Sequence, residues 1–121
     1  LNNRRKSFGY QVLGFGSGVT GDAFVKNDEG IFGYGTNGSN LSMTNLVSNV
    51  GVISADVTGV GTARHWTAAS VYGGDKAVFA YGTVVSSTAI SNKVSNVGVV
   101  ATDTSGVGTA RAMIAGLGYS I

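Results

Sequence analysis

Apolar and polar residues alternate along most of the chain, in short runs that are bounded by Gly, Asn, Asp or Ser. Alternation with a period of two predicts β-strands rather than helices, and the bounding residues are those that turns require. The pattern predicts four strands at residues 30–35, 41–47, 51–56 and 62–71. It predicts four more at residues 77–82, 88–94, 98–103 and 109–118.

The second set of strands repeats the first, because residues 27–73 and 74–120 are two copies of one 47-residue unit, joined without a gap. Residues 47–52 are identical to 94–99, and 59–64 are identical to 106–111. A period in this range is typical of solenoids, propellers and other arrays, in which each unit stacks on its neighbours. Four antiparallel strands in about 47 residues, linked by tight turns, predict one blade of a β-propeller. We call the two units the first copy and the second copy.

The segment before the repeats predicts a further strand. Residues 5–15 loosely echo the last strand of the unit, with Arg5 in the place of Arg64, and an enlarged loop would follow. The predicted organisation is therefore an N-terminal strand and loop at 1–26, a first propeller repeat at 27–73 and a second at 74–121. Two blades are few for an array, so we expect a fragment or a subunit of a larger ring, in which an odd strand completes a blade of a neighbour.

Charge and composition exclude several classes of protein. Charged residues make up 12% of the 121-residue chain, and the net charge of +2 depends on Arg4, Arg5 and Lys6. This is not the basic surface of a nucleic-acid-binding protein. The chain has no cysteine, and its longest uncharged stretch, 30–55, is interrupted throughout by Asn, Ser, Thr and Gly. These features predict neither a disulfide framework nor a membrane span.

The repeated aromatic residues are interpreted as core. Phe32 and Tyr34 recur as Phe79 and Tyr81 on one face of the first predicted strand of each copy. Small residues on the opposite face, such as Gly33, would lie beneath an aromatic ring of the adjacent blade.

No reactive constellation is found. The GVGTAR motif lacks the Lys-Ser/Thr of a phosphate-binding loop, and the single histidine, His65, becomes Ala112 in the second copy. Repeated aspartates would lie on different blades, where capping of turns is the default interpretation. Repeated Arg64 and Arg111 are predicted to bond to carbonyls or an Asp of a neighbouring blade. No enzyme activity, metal or cofactor is therefore predicted.

The two copies diverge at two places. Residues 37–40 (NGSN) become 84–87 (VVSS), and His65-Trp66 becomes Ala112-Met113. Because function tends to lie in variable loops on a fixed framework, these positions are the first candidates for recognition.

The pattern of residues 61–82, with an Arg, a small apolar strand, a Gly-Asp turn, an aromatic strand and a closing Gly, resembles a kelch repeat. Phrases such as VSNVGVV and ATDTSGVGTAR resemble the Gly/Thr-rich repeat arrays of bacteriophage virion proteins, including tail and fibre proteins. These resemblances imply a kelch-like β-propeller, a virion or extracellular location and a homo-oligomer or a set of blades as partner.

Two hypotheses follow for function. The first is a non-enzymatic structural module of a phage particle, with host cell-surface glycans as a candidate ligand of its Asn, Ser, Thr and Tyr side chains. The alternative is an architectural subunit of a cell surface or filament, with no ligand.

Overall fold

The computed structural model describes residues 27–120, and this part of the chain is all-β, with no helix. Five strands follow one another: β1 (Gly30–Gly33), β2 (Thr44–Val47), β3 (Ala68–Tyr72), β4 (Lys76–Ala80) and β5 (Ser91–Val94). They form a two-stranded sheet in the order β1-β2 and a three-stranded sheet in the order β3-β4-β5. Both sheets are antiparallel, as the alternating pattern predicts. The predicted N-terminal strand at 5–15 lies outside the described residues.

The three-stranded sheet combines strands of both copies. Strand β3 belongs to the first copy, and it pairs with β4 of the second from Ala68↔Ala80 to Tyr72↔Lys76. Gly73 and Gly74 form the hairpin turn with φ of +63° and +82°, a conformation that costs glycine little. The boundary between the copies is therefore a tight hairpin. The backbone of the turn and the hydrogen bonds between β3 and β4 both connect the two copies.

The strands are shorter than the alternation predicts. The first strand of each copy ends before Tyr34 or Tyr81, whose φ of +64° and +65° is incompatible with a continuing strand. The predicted strands 51–56 and 98–103 form only isolated bridges, among them Val47↔Ile53 and Val94↔Val100.

The last predicted strand of each copy is also wrong in extent. In the first copy only Ala68–Tyr72 is a strand, because the positive φ of Trp66, +55°, interrupts the extended backbone. In the second copy, residues 109–118 form no strand, and among the described residues no segment stands beyond them to pair as β4 pairs with β3.

The two sheets pack face to face. A Cβ atom on Gly33 would lie 2.9 Å from the tip of the Phe79 ring, so only glycine lets the aromatic ring approach this closely. The Tyr34 and Phe79 rings meet edge to face, with centroids 5.2 Å apart. Tyr34, Phe79 and Val94 form the buried core. This confirms the prediction that an aromatic of one unit lies over a small residue of the other.

One predicted core residue is exposed. Phe32 corresponds to Phe79, yet it is 62% exposed where Phe79 is 5% exposed. The face of the β1-β2 sheet that carries Phe32 points away from the second copy, and no described residue covers it as the first copy covers Phe79. The same sequence position is thus core in one copy and surface in the other.

Candidate functional site

The most buried polar side chains of the described region lie between the two copies. Arg64 and Asn92 are both 0% exposed. The Arg64 guanidinium donates from Nε to the carbonyl of Tyr81 (2.9 Å), from Nη1 to that of Thr62 (3.0 Å) and from Nη2 to Oδ1 of Asn92 (2.7 Å). Its charge also lies 4.5 Å from the centre of the Tyr34 ring, in cation–π contact. The sequence prediction that Arg64 bonds to the adjacent unit is confirmed.

Asn92 connects this cation to a carboxylate. While its Oδ1 accepts from Arg64, its Nδ2 donates to Oδ1 of Asp103 (2.9 Å) and to the carbonyl of Ala101 (3.1 Å). Asp103 in turn accepts from the backbone N–H of Thr62 (3.0 Å) and from its hydroxyl (2.6 Å). Arg64 and Thr62 of the first copy therefore hold Asn92 and Asp103 of the second in a closed ring of hydrogen bonds.

The pKa values of two groups at the junction are shifted by their surroundings. Partial burial alone would raise the pKa of Asp103, but the bonds from Thr62 and Asn92 and the charge of Arg64 outweigh it and hold this pKa below its ordinary value. Burial raises the pKa of Tyr34, against the opposing charge of Arg64. Asp103 is thus a carboxylate in the folded protein near neutral pH.

This role of Asp103 corrects the sequence interpretation, which gave the aspartates to their own turns. Serines hold other turns of the repeat: Ser48 Oγ accepts from the N–H of Val52 (3.1 Å), and Ser95 Oγ accepts from that of Val99 (3.1 Å). The sequence signal for Asp103 is repetition: Asn92 and Asp103 recur at the same spacing as Asn45 and Asp56, as the GVGTAR motif also recurs.

The GVGTAR motif has a steric role. Gly61 adopts φ +80°, and a Cβ there would lie 2.4 Å from Oδ1 of Asp103 and 2.5 Å from Nδ2 of Asn92. Glycine is therefore required for the backbone to approach the pair. The equivalent Gly108 has the same φ, but its nearest contact would be the Tyr81 hydroxyl at 3.6 Å.

We call Tyr34, Thr62 and Arg64 the donor half of this junction, and Asn92 and Asp103 its acceptor half. A second donor half, formed by Tyr81, Thr109 and Arg111, is present at the end of the second copy. Arg111 lies 4.2 Å from the centre of the Tyr81 ring and donates from Nη1 to the carbonyl of Thr109 (2.9 Å). It is exposed, and it makes no bond to an Asn or Asp among the described residues.

A second acceptor half, formed by Asn45 and Asp56, is present in the first copy. Asn45 Nδ2 donates to Oδ1 of Asp56 (2.8 Å) and to the carbonyl of Ser54 (3.2 Å), as Asn92 does to Asp103 and Ala101. No arginine contacts it within residues 27–120. Each copy thus carries a donor half and an acceptor half. Within residues 27–120, only the donor half of the first copy is joined to an acceptor half, that of the second copy.

The positions at which the copies diverge come together in space. His65 Nδ1 lies 2.7 Å from Oδ1 of Asn40, and Nδ2 of Asn40 donates to the carbonyl of Val84 (3.0 Å). Because Oδ1 of Asn40 can only accept, His65 donates from Nδ1, and in the neutral ring Nε2 is then an acceptor. The Trp66 ring is 53% exposed and meets the His65 ring edge to face at 4.5 Å. We call Asn40, His65 and Trp66 the divergent patch.

An open groove of about 470 Å³ runs between the copies at the other edge of the sheets. Apolar side chains of both copies line it, Val47 and Val94 among them. Its rim carries Asp75 and Lys76, which bind each other at 2.8 Å; this pairing lowers the pKa of the carboxyl and raises that of the ammonium. Asp75 and Lys76 therefore satisfy each other, while Asp28 and Glu29 add two further carboxylates to the lining of the groove.

Comparison with protein-family models, with curated proteins and with solved structures finds no match for this chain. Within residues 27–120, no three His, Asp or Glu side chains are grouped as a metal site. The same region contains no helix of the length and apolarity needed to cross a membrane.

Proposed function

We propose that this chain is a non-enzymatic structural repeat module, a part of a kelch-like β-propeller in a bacteriophage particle. The observation that carries the proposal is that Arg64 and Asn92, the largest fully buried side chains of the described region, join one repeat to the next. Burying a guanidinium is costly unless it is fully bonded. Here the cost is met at a contact between units, where it fixes their mutual position.

The sheet arrangement supports propeller blades. Residues 68–94 form three antiparallel strands, and the bridges Val94↔Val100 and Ser91↔Thr104 add a fourth segment along the edge of β5 that β4 does not occupy. This sheet packs through Phe79 against Gly33 of the preceding one. Antiparallel sheets of about four strands stacked face to face are the building plan of a propeller.

Electron microscopy tests the proposal at two levels. Class averages of the purified protein are expected to show a ring with a central channel, and solid or fibrous particles would contradict the propeller. Antibodies against the chain are expected to label the tail or fibres of virions. Labelling confined to a cell envelope or to filaments would instead favour the architectural alternative.

A specific observation favours a second function, the binding of surface glycans. In the divergent patch an exposed Trp ring lies beside the ring of His65, whose Nε2 is left as an acceptor, and Asn40 holds that ring in place. Sugar rings present C–H faces that stack on aromatic rings and hydroxyls that bind such acceptors. Trp66 thus has the chemistry of a glycan contact, whereas Met113 at the equivalent position does not.

A glycan array tests this function with matched variants. Trp66→Met, His65→Ala and Asn40→Ser each give the first copy the residue found at the equivalent position of the second copy, and Met113 already occupies its site with φ +56°. Binding that is lost in Trp66→Met but retained in a Met113→Leu control supports the patch. No binding of the unmodified protein to any glycan would leave the module purely architectural.

A further inference from the structure

The first copy and the second copy carry the same contact surface, and the described chain uses it once. At the junction, the donor half at Arg64 faces the acceptor half at Asn92. Within residues 27–120, the donor half at Arg111 and the acceptor half at Asn45 are not joined to a partner and lie at opposite ends of the stack. The exposures record the difference: Arg64 and Asn92 are 0% exposed, whereas Arg111 is exposed and Asn45 is half-buried.

Both remaining halves already have the bound geometry. Arg111 keeps its tyrosine ring and its Thr109 carbonyl at 4.2 and 2.9 Å, against 4.5 and 3.0 Å for Arg64. Asn45 keeps its Asp56 carboxylate at 2.8 Å, against 2.9 Å for Asn92 and Asp103. A surface that is preorganised in this way loses little conformational freedom on binding.

We infer that another molecule of this same chain binds head to tail, with Arg111 of one chain inserted against Asn45 and Asp56 of the next. The inference rests on the proposed structural role and adds to it the identity of the partner. Phe32, which is 62% exposed, becomes covered by the preceding chain as Phe79 is covered by the first copy. The internal junction supports this partner, because the donor half that fits the acceptor half at Asn92 is repeated at Arg111 of the same chain.

Strand pairing follows the same correspondence. Residues 115–119 correspond to β3, which pairs with β4 at the internal junction. In the assembly they lie along β1 of the next chain, whose one described neighbour is β2. One difference from the internal junction is required: Ala80 stands where Gly33 gives room to the Phe79 ring, so the Phe32 ring lies slightly farther out.

A contact between two different faces does not close on itself in a dimer. It continues until the rotation between chains completes a ring, or it extends into a filament. Blocking one face therefore stops growth at that end only, and this property separates the head-to-tail contact from a symmetric dimer.

Two end-blocked variants test the inference by light scattering coupled to gel filtration. Gly108→Ala with Arg111→Ala blocks the donor face, because a Cβ at the equivalent Gly61 would lie 2.4 Å from the carboxylate. Asp56→Lys blocks the acceptor face by repelling Arg111. The unmodified protein is expected at a multiple of the monomer mass of 12.2 kDa, and each variant at the monomer mass. An equimolar mixture is expected at twice the monomer mass, because one intact face of each kind remains.

Val50→Lys is the matched control. It introduces the same lysine side chain at a turn that is 80% exposed, and the equivalent Val97 stays 72% exposed at the internal junction. This variant is expected to keep the mass of the unmodified protein. Arg111→Ala alone serves as a second donor-blocked variant, because it introduces no side chain at the positive φ of Gly108.

A monomeric unmodified protein, or blocked variants that keep its mass, would overturn the inference, as would a mixture that stays monomeric. The Trp66 fluorescence unfolding transition of each variant reports the internal junction separately. Folded monomers throughout refute only the head-to-tail contact, whereas loss of the transition on blocking an outer face would contradict the modular role itself.

Discussion

The variant Arg64→Met removes the charge of the internal junction while keeping an unbranched apolar side chain. It leaves Oδ1 of Asn92 without its donor at 2.7 Å and the carbonyl of Tyr81 without its donor at 2.9 Å. Each buried acceptor left unsatisfied costs about 1–3 kcal/mol. The lost cation–π contact with Tyr34 adds about 0.5–2 kcal/mol. Removal of the guanidinium also ends its own desolvation, which offsets part of this loss.

The expected result is a decrease of about 3 kcal/mol in the free energy of unfolding, a large part of the roughly 5–15 kcal/mol of an ordinary domain. Arg111→Met is the control, because it makes the same change at the equivalent position, beside the same kind of ring and carbonyl. Since Arg111 is exposed, its loss is expected to cost less than about 1 kcal/mol.

Urea denaturation, followed by the fluorescence of Trp66, measures both values; Trp66 is the chain's one tryptophan. Protein concentrations are chosen at which the midpoint no longer depends on concentration, so that contacts between chains do not contribute. If the two variants unfold within about 1 kcal/mol of each other, the junction is not what holds the copies together, and the reasoning from Arg64 fails.

Three further predictions concern the same junction. Gly61→Ala is expected to lower the thermal midpoint far more than Gly108→Ala, since both share a φ of +80° but only the first meets Asp103 and Asn92; equal shifts in calorimetry would mean that backbone strain alone is responsible. Phe79→Ala is expected to cost about 3–5 kcal/mol in urea and Phe32→Ala under about 1, because their exposures are 5% and 62%, and a reversed order would contradict the packing. Folding lowers the pKa of Asp103, and the stability that this adds is complete above the unfolded-state pKa of about 3.9 and is lost as the pH falls through the folded-state pKa. Asp103→Asn is therefore expected to reduce the loss of unfolding free energy at acid pH. An unchanged acid limb of the stability–pH curve would show that this carboxylate does not contribute.

The sequence was sufficient to predict that the chain forms β-strands and that its two halves are copies of one unit. It placed all five strands within predicted segments, apart from overhangs of one residue at Lys76 and Tyr72. It could not place their ends, because these depend on positive φ at residues such as Tyr34 and Trp66, for which a side chain other than glycine gives no local signal. Isolated bridges at Ile53 and Val100 likewise fall short of strands without any change in the alternation.

Prediction of the site was more uneven. Repetition of Arg64 correctly indicated a bond between units, but the partners of Asp103 were assigned to its own turn, because local capping is the commoner role of such a residue. Phe32 shows a different limit, since its environment depends on a neighbour that the described residues do not include. The meeting of Asn40 with His65 could be found only in space, as 25 residues separate them.

Because each unit carries both a donor half and an acceptor half, a tandem duplication of the corresponding coding segment creates a complete interface between the new units in one step. No compensating change elsewhere is needed, provided that Gly61 and its counterparts stay free of a side chain. Arrays of this kind can lengthen or shorten by whole units, while the loops at the divergent patch vary independently.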